Sequence, residues 1–161
     1  RKSKAKGREL NLDPKRAYAS YTEMIEKELL LPEGERIDFV TIVTPNHVHF
    51  PVARDFLKAG FNVICDKPVT FDAKEARELK AIVKKTRKVF ALTHNYTGYP
   101  MVKLARDMVA AGDIGKECKI VVQYPQGWLC RCLEKDAQKR AGWSSDPKKS
   151  GADGCIGDIG T

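Results

Sequence analysis

The sequence has no long apolar run. Its longest apolar stretches lie within Phe39–Val43 and within Lys119–Val122, whereas a helix that crosses a bilayer needs about 20 consecutive apolar residues. The opening segment is basic and is not followed by an apolar stretch of the kind found in a secretory signal. We therefore expect no membrane partner.

The sequence also lacks the cysteine pattern of a disulfide-bonded protein. The five cysteines are odd in number, which is atypical of an oxidised disulfide framework. Cys130 and Cys132 are separated by one residue, the wrong spacing for a metal knuckle, and have no matching second pair. We expect reduced thiols and a cytoplasmic protein, with a periplasmic parent protein as the alternative.

Recognisable nucleic-acid-binding motifs are absent, although the formal net charge is +8. Basic residues are interspersed with acidic ones on helical segments, as in residues 72–78, which is typical of a solvated helix face. Neither a helix-turn-helix nor a zinc finger nor an aromatic-studded basic strand is recognisable. We expect no nucleic-acid partner.

What the sequence does contain is an alternation of strands and helices. A hydrophobic fraction of 42% and a charged fraction of 31% are typical of a globular chain. Strands that alternate with helices need crossover connections, so the strands should be parallel and the crossovers right-handed. The pattern predicts an α/β fold, the second half of a Rossmann-type sheet. The predicted strands are Ile37–Val43, Phe61–Cys65 and Val89–Thr93, and the predicted helices are Pro14–Leu31, His47–Ala59, Asp72–Thr86 and Pro100–Ala111.

The pattern changes after Gly115. Glu117–Gln123 has the composition of a strand but no helix follows it, and a long irregular stretch comes next. We predict a partial dinucleotide-binding domain over residues 1–113 and the beginning of an α+β substrate domain over residues 114–161.

Three polar segments follow the three predicted strands. Ligands of open parallel sheets bind beyond the carboxyl ends of the strands, where helix N-termini converge. All three histidines lie in these segments, and Lys67 stands between an acid and a proline, where its ammonium could stabilise a developing oxyanion. A surface ion pair is the alternative for Lys67, and metal ligation is the alternative for the histidines. We expect no metal. The segments are Thr44–His49, Asp66–Pro68 and His94–Tyr96.

At these residues the sequence resembles the Gfo/Idh/MocA oxidoreductases, the family of glucose-fructose oxidoreductase and myo-inositol dehydrogenase. The resemblance lies in residues 37–49, 59–68, 112–115 and 157–161 and thus covers most of the chain in order. It implies NAD or NADP as the cofactor and a sugar or polyol as the substrate. The side chains that it implies at the cofactor are Thr44, Pro45, Asn46, His49, Asp66, Lys67, Pro68 and Asn95.

The resemblance also implies a reaction, the transfer of hydride from a secondary alcohol carbon to nicotinamide. Lys67 and Asp158 would be catalytic, with Lys67 stabilising the alcohol oxygen. Asp66 stands where the family usually has glutamate. The family's base histidine would follow Thr161, and its glycine-rich turn would precede Arg1, so we expect this chain to be an inactive fragment of an active homo-oligomeric enzyme. A non-catalytic association or sensing module of the same fold is the alternative.

Overall fold

The computed structural model describes residues 2–125, 127, 130, 132–133, 139–151 and 160. Short 3₁₀ turns lie at Pro14–Arg16, Glu33–Glu35, Asn46–Val48 and Asn95–Gly98. The strands are β1 (Phe39–Ile42), β2 (Asn62–Asp66) and β3 (Phe90–Thr93). The helices are α1 (Lys2–Glu9), α2 (Tyr21–Leu29), α3 (His49–Lys58), α4 (Ala73–Thr86), α5 (Pro100–Ala111), α6 (Lys139–Ser144) and α7 (Pro147–Ser150).

The sheet has the predicted topology. Its order is β1-β2-β3, and both pairings are parallel. The strand ends are aligned, since Ile42 pairs with Cys65 and Asp66 pairs with Thr93. The prediction of three parallel strands joined by crossover helices is confirmed, and the carboxyl ends of the strands meet at one edge of the sheet.

The core lies between the sheet and two crossover helices. α3 packs on β1 and β2 and against α4. The fully buried side chains include Phe56 and Leu57 of α3 and Val63 and Cys65 of β2. Burial of such side chains from both layers stabilises the arrangement of the strands through the hydrophobic effect.

A buried carboxylate joins the segment before α2 to the sheet. Glu28 is completely buried and accepts hydrogen bonds from Arg16 at 3.0 Å, from the Tyr18 hydroxyl at 2.5 Å and from the Ile37 backbone N–H at 3.0 Å. Burial is the main cause that raises the pKa of Tyr18 to about 12, and the hydrogen bond to Glu28 is the second cause. Glu28 thereby holds the entry to β1.

Helix ends follow local chemistry. The Asp72 carboxylate caps α4 by accepting from the Glu75 N–H at 2.8 Å, as the capping pattern predicts. Gly60 follows α3 with φ +91° and Gly112 follows α5 with φ +81°, the left-handed conformation that glycine adopts at low cost.

Two sequence predictions are wrong. The helix predicted over residues 14–31 is a 3₁₀ turn followed by α2, because Ser20 caps a new helix by accepting from the Glu23 N–H at 3.0 Å. Residues 117–123 form no strand. Ile120 and Val122 are each at least 80% exposed, and composition alone makes no strand without a neighbour to complete its hydrogen bonds.

α1 was not predicted at all. Its sequence, KSKAKGRE, offers no apolar face that would reveal a helical period. Among the described residues, no helix is long and apolar enough to span a membrane.

Candidate functional site

The carboxyl edge of the sheet carries the three predicted polar loops. The loop after β1 holds Thr44 and Asn46, the loop after β2 holds Lys67, and the loop after β3 holds Asn95. Thr44 and Asn95 are exposed, whereas Asn46 and Lys67 are half-buried. The aligned strand ends bring these loops to one edge, which we call the strand-end rim.

The loop after β1 contacts the far end of the described chain. The Asn46 side-chain amide donates to the Ser150 carbonyl at 2.8 Å, and His47 Nδ1 lies 3.3 Å from the Lys149 carbonyl oxygen. α7 is capped by Asp146, whose pKa is lowered first by its bond to Lys149 and then by the Lys148 N–H. The segment after the predicted domain boundary therefore reaches the strand-end rim.

His49 is a buried side chain that contacts the backbone of two of the three loops. The side chain is 1% exposed, and its Nε2 lies 2.8 Å from the Thr44 carbonyl while its Nδ1 lies 2.8 Å from the Pro68 carbonyl. A carbonyl oxygen only accepts, so a ring nitrogen that bonds to one of these carbonyls does so as an N–H donor. With both nitrogens facing carbonyls, the ring is not placed to ligate a metal.

The loop after β2 is held from the neighbouring strand. Asp66 accepts a hydrogen bond from the Thr93 hydroxyl at 2.6 Å. The Lys67–Pro68 peptide bond is cis. The Lys67 ammonium lies 5.9 Å from the centre of the Tyr96 ring, a cation–π distance. Lys67 thus projects toward the loop that follows β3.

Three tyrosines lie together beside Lys67. The Tyr96 ring centre is 6.1 Å from that of Tyr99 and 5.7 Å from that of Tyr124. Sequence reasoning singled out only Tyr96, as part of a strand-end segment. Tyr99 precedes α5 and Tyr124 is 28 positions after Tyr96. No local spacing links the three residues, so only their shared residue type could have indicated that they lie together.

One residue that the resemblance implies, Asp158, falls outside the described residues. A cavity of about 170 Å³ lies at the opposite, amino edge of the sheet, beside Asp38, Asn62 and Lys88. It is smaller than the roughly 300 Å³ at which ligand pockets begin.

The family follows from comparison with known proteins. A profile of the Gfo/Idh/MocA family, described as an oxidoreductase family with an NAD-binding Rossmann fold, matches residues 2–94. The chain belongs to this family. The matched region ends at His94 and contains all of β1, β2 and β3. The recognition made from the sequence is therefore confirmed.

Individual oxidoreductases are also similar to this chain. The uncharacterized oxidoreductase YfiI of Bacillus subtilis is 32% identical over 96% of this chain and 39% of its own length. The levoglucosan dehydrogenase of Pseudarthrobacter phenanthrenivorans is 31% identical over 78% of this chain and 30% of its own length.

A solved structure agrees over nearly the whole chain. It is that of an inositol dehydrogenase homolog from Azotobacter vinelandii, complexed with NAD⁺. The two superpose with a TM-score of 0.88 at 33% identity, over 98% of this chain and 40% of the other. This chain thus spans about two fifths or less of the length of the relatives that it matches.

Proposed function

We propose that this chain forms part of an NAD(P)-dependent dehydrogenase that acts on a sugar or a polyol. The observation that carries the proposal is the strand-end rim, which gathers Asn46, Lys67 and Asn95 beyond three parallel strands in a member of an NAD-binding family. The names of the relatives, an inositol dehydrogenase homolog and a levoglucosan dehydrogenase, support the substrate class.

The chemistry of the rim suits a nicotinamide dinucleotide. Thr44 and Asn95 are exposed side chains that can hydrogen-bond to ribose hydroxyls or to a carboxamide. Asp66, which accepts from Thr93, would lie on the ribose side of the cofactor. Of the remaining candidates, Pro45 and Pro68 would shape the loops, and His49 would act by holding them. When bound, the cofactor supplies the hydride acceptor.

Lys67 has the central role in this proposal. Its ammonium would donate to the substrate hydroxyl oxygen and stabilise negative charge as that oxygen loses its proton. The Asp66–Thr93 bond and the His49–Pro68 contact fix the two ends of the Lys67 loop. We assign Asp158 to the same site on the resemblance alone. We further propose that the substrate domain begins at residue 114 and that the protein is cytoplasmic.

The test measures cofactor binding and turnover separately. In the natural gene product that carries residues 1–161, Lys67→Met should lower kcat for NAD⁺ or NADP⁺ reduction by about 10² or more. The NADH dissociation constant, followed by fluorescence, should stay within about twofold, because Lys67 acts on the substrate oxygen.

Lys88→Met is the matched control. Lys88 lies at the amino edge of the sheet, so both constants should be unchanged. A wild-type protein that binds neither NADH nor NADPH would refute the proposal. So would a Lys67→Met variant that retains full kcat.

A further inference from the structure

The hydrogen bond between Asn46 and Ser150 joins two parts of the chain that are far apart in sequence. The Asn46 side-chain amide donates to the Ser150 carbonyl at 2.8 Å, across 104 positions. α7 also packs against the 3₁₀ turn Asn46–Val48. We call this hydrogen bond the α7 anchor. Because the amide N–H is directed at the chain itself, Asn46 has a role within the protein that the resemblance does not imply.

The C-terminus of α7 is a firm support for the anchored carbonyl. The Ser150 N–H donates to the Asp146 carbonyl at 2.9 Å. The Gly151 N–H donates to the Pro147 carbonyl at 3.1 Å. Gly151 is buried and has a φ of +97°, a conformation that glycine adopts at low cost. Carbonyls in the last turn of a helix need partners from outside the helix, and Asn46 is such a partner for Ser150.

On its other side, the α7 anchor is connected to the loop that carries Lys67. The 3₁₀ turn that begins at Asn46 leads directly into His49. The His49 ring contacts the Pro68 carbonyl at 2.8 Å, and Pro68 follows Lys67 in the sequence. A continuous series of contacts therefore runs from Ser150 to the Lys67 loop.

α7 belongs to the part of the chain that we predict to be the substrate domain. It packs against α6, in which Ala141 is completely buried. The α7 anchor thus joins these helices to the strand-end rim, where we propose that the cofactor binds. Hydride transfer requires donor and acceptor carbons in close contact, and a misplacement of about 1 Å can lower a rate by about 10².

We propose that Asn46 is a positioning residue that aligns the substrate domain with the cofactor, acting through the Ser150 carbonyl and not by touching the cofactor. This inference rests on the proposed function. It assigns to the Asn46 amide a contact within the chain, where the resemblance implies a contact with the dinucleotide.

Asn46→Asp tests the α7 anchor with little change of shape, because a carboxylate has no N–H and would face the Ser150 carbonyl as a second acceptor. In the gene product that carries residues 1–161, kcat for NAD⁺ or NADP⁺ reduction with myo-inositol or levoglucosan should fall by about 10- to 100-fold. The NADH dissociation constant should stay within about threefold. A direct cofactor contact predicts the opposite, weaker NADH binding with kcat retained at saturating cofactor.

Asn11→Asp is the matched control. Asn11 is an exposed asparagine just after α1, and its substitution makes the same change in charge. Both constants should be unchanged in this variant.

Hydrogen exchange tests the α7 anchor without turnover. In Asn46→Asp, the amides of Ser150 and Gly151 should exchange about fivefold faster than in the wild type, the equivalent of one lost hydrogen bond. Peptides that cover residues 147–151 report this change by mass spectrometry. Asn11→Asp should exchange at the wild-type rate.

Gly151→Ala disturbs the same anchor from its other side. No atom lies within 4 Å of the added methyl group, so the effect comes from the backbone, which an alanine disfavours at this φ. The variant should also lower kcat with little change in NADH binding, and this result decides the matter if Asn46→Asp does not fold. Combined with Asn46→Asp, it should lower kcat by no more than about twofold further, because both changes break one contact.

Three results would overturn the inference. They are an unchanged kcat in Asn46→Asp, a NADH dissociation constant raised more than about tenfold with kcat retained, and effects of the two substitutions on kcat that simply multiply. A wild-type protein that binds neither NADH nor NADPH would instead refute the proposed function. Normal NADH binding and turnover in the wild type, with any of the three results in the variants, would refute this inference alone.

Discussion

His49 shows how one buried side chain can hold two loops of a site. Its ring nitrogens contact the Thr44 and Pro68 carbonyls, and these carbonyls belong to the loops that carry Asn46 and Lys67. A buried acceptor that loses its donor retains its desolvation penalty, about 1–3 kcal/mol for each group. The spacing of the two loops therefore depends on this ring.

We predict that His49→Ala lowers the free energy of unfolding by about 2–4 kcal/mol, because two carbonyls lose a partner and a cavity forms. Urea unfolding measures the change. The control is His47→Ala, since His47 is exposed and has one longer contact of 3.3 Å, and its effect should stay below about 1 kcal/mol. Similar losses in the two variants would contradict this view of the loops.

Cys65 should be inert in the folded protein. Burial, and to a lesser degree the charge of Asp66, raises the pKa of its thiol from 9.0 to about 12, and the thiolate is the reactive form. Iodoacetamide at about pH 8 should modify the exposed Cys118 and Cys130 but reach Cys65 only after denaturation. Mass spectrometry of the native protein would disprove this if Cys65 were labelled as fast as Cys118.

The same raised pKa makes stability dependent on pH. The folded state keeps the Cys65 proton more tightly than the unfolded state, so this contribution is complete below pH 9.0 and declines as the pH rises toward about 12. We predict that unfolding free energy falls between about pH 9 and about pH 11, with a shallower fall in Cys65→Ala. Urea titrations across this range would reveal equal slopes if the thiol were not responsible.

The residues of the rim could be located from sequence, but their contacts could not. Strand ends are recognisable in the sequence, which therefore predicts Asn46, Lys67 and Asn95 at one edge of the sheet. The partner of Asn46 is Ser150, 104 positions away, and no local pattern predicts such a contact.

At the scale of elements, local chemistry determined where helices begin and end. Asp72, Gly60 and Gly112 have the conformations that their sequence positions predict. The predicted helix over residues 14–31 was divided because Ser20 provides a second N-cap within an otherwise regular apolar period. The spacing of apolar residues shows which face of a helical segment is apolar, whereas N-cap residues determine whether that segment forms one helix or two.

The cap of α4 gives a test at this scale. Asp72→Ala should destabilise the protein by about 1 kcal/mol, because the Glu75 N–H loses its acceptor. Asp72→Asn keeps an acceptor oxygen and should lose only a few tenths of a kcal/mol. Thermal or urea unfolding distinguishes the two, and equal effects would show that charge, not the capping bond, is what Asp72 contributes.

At the scale of the whole molecule, β1 is an edge strand of the described sheet. It pairs with β2 on one side, and Phe39 at its start is 53% exposed while Val43 just beyond it is 69% exposed. Apolar, unpaired edges tend to recruit further strands. We therefore expect this chain to self-associate.

Sedimentation velocity tests this expectation. The 161-residue chain should sediment faster as its concentration rises, and Phe39→Lys should reduce the effect, because a charge on an edge strand opposes pairing. Lys58→Ala, an exposed change on α3, is the control. A monomer at all concentrations would contradict edge-mediated association.

The sequence by itself determined the alternation of strands and helices, the parallel topology and the family, because apolar period, capping residues and strand-end motifs are all local. Tertiary structure decided which distant groups meet. It brought the end of α7 into contact with Asn46. It also placed both ring nitrogens of His49 within hydrogen-bonding distance of carbonyl oxygens and the Tyr124 ring beside the Tyr96 ring. It also left residues 117–123 without a strand, since a strand exists only where a neighbour completes its hydrogen bonds.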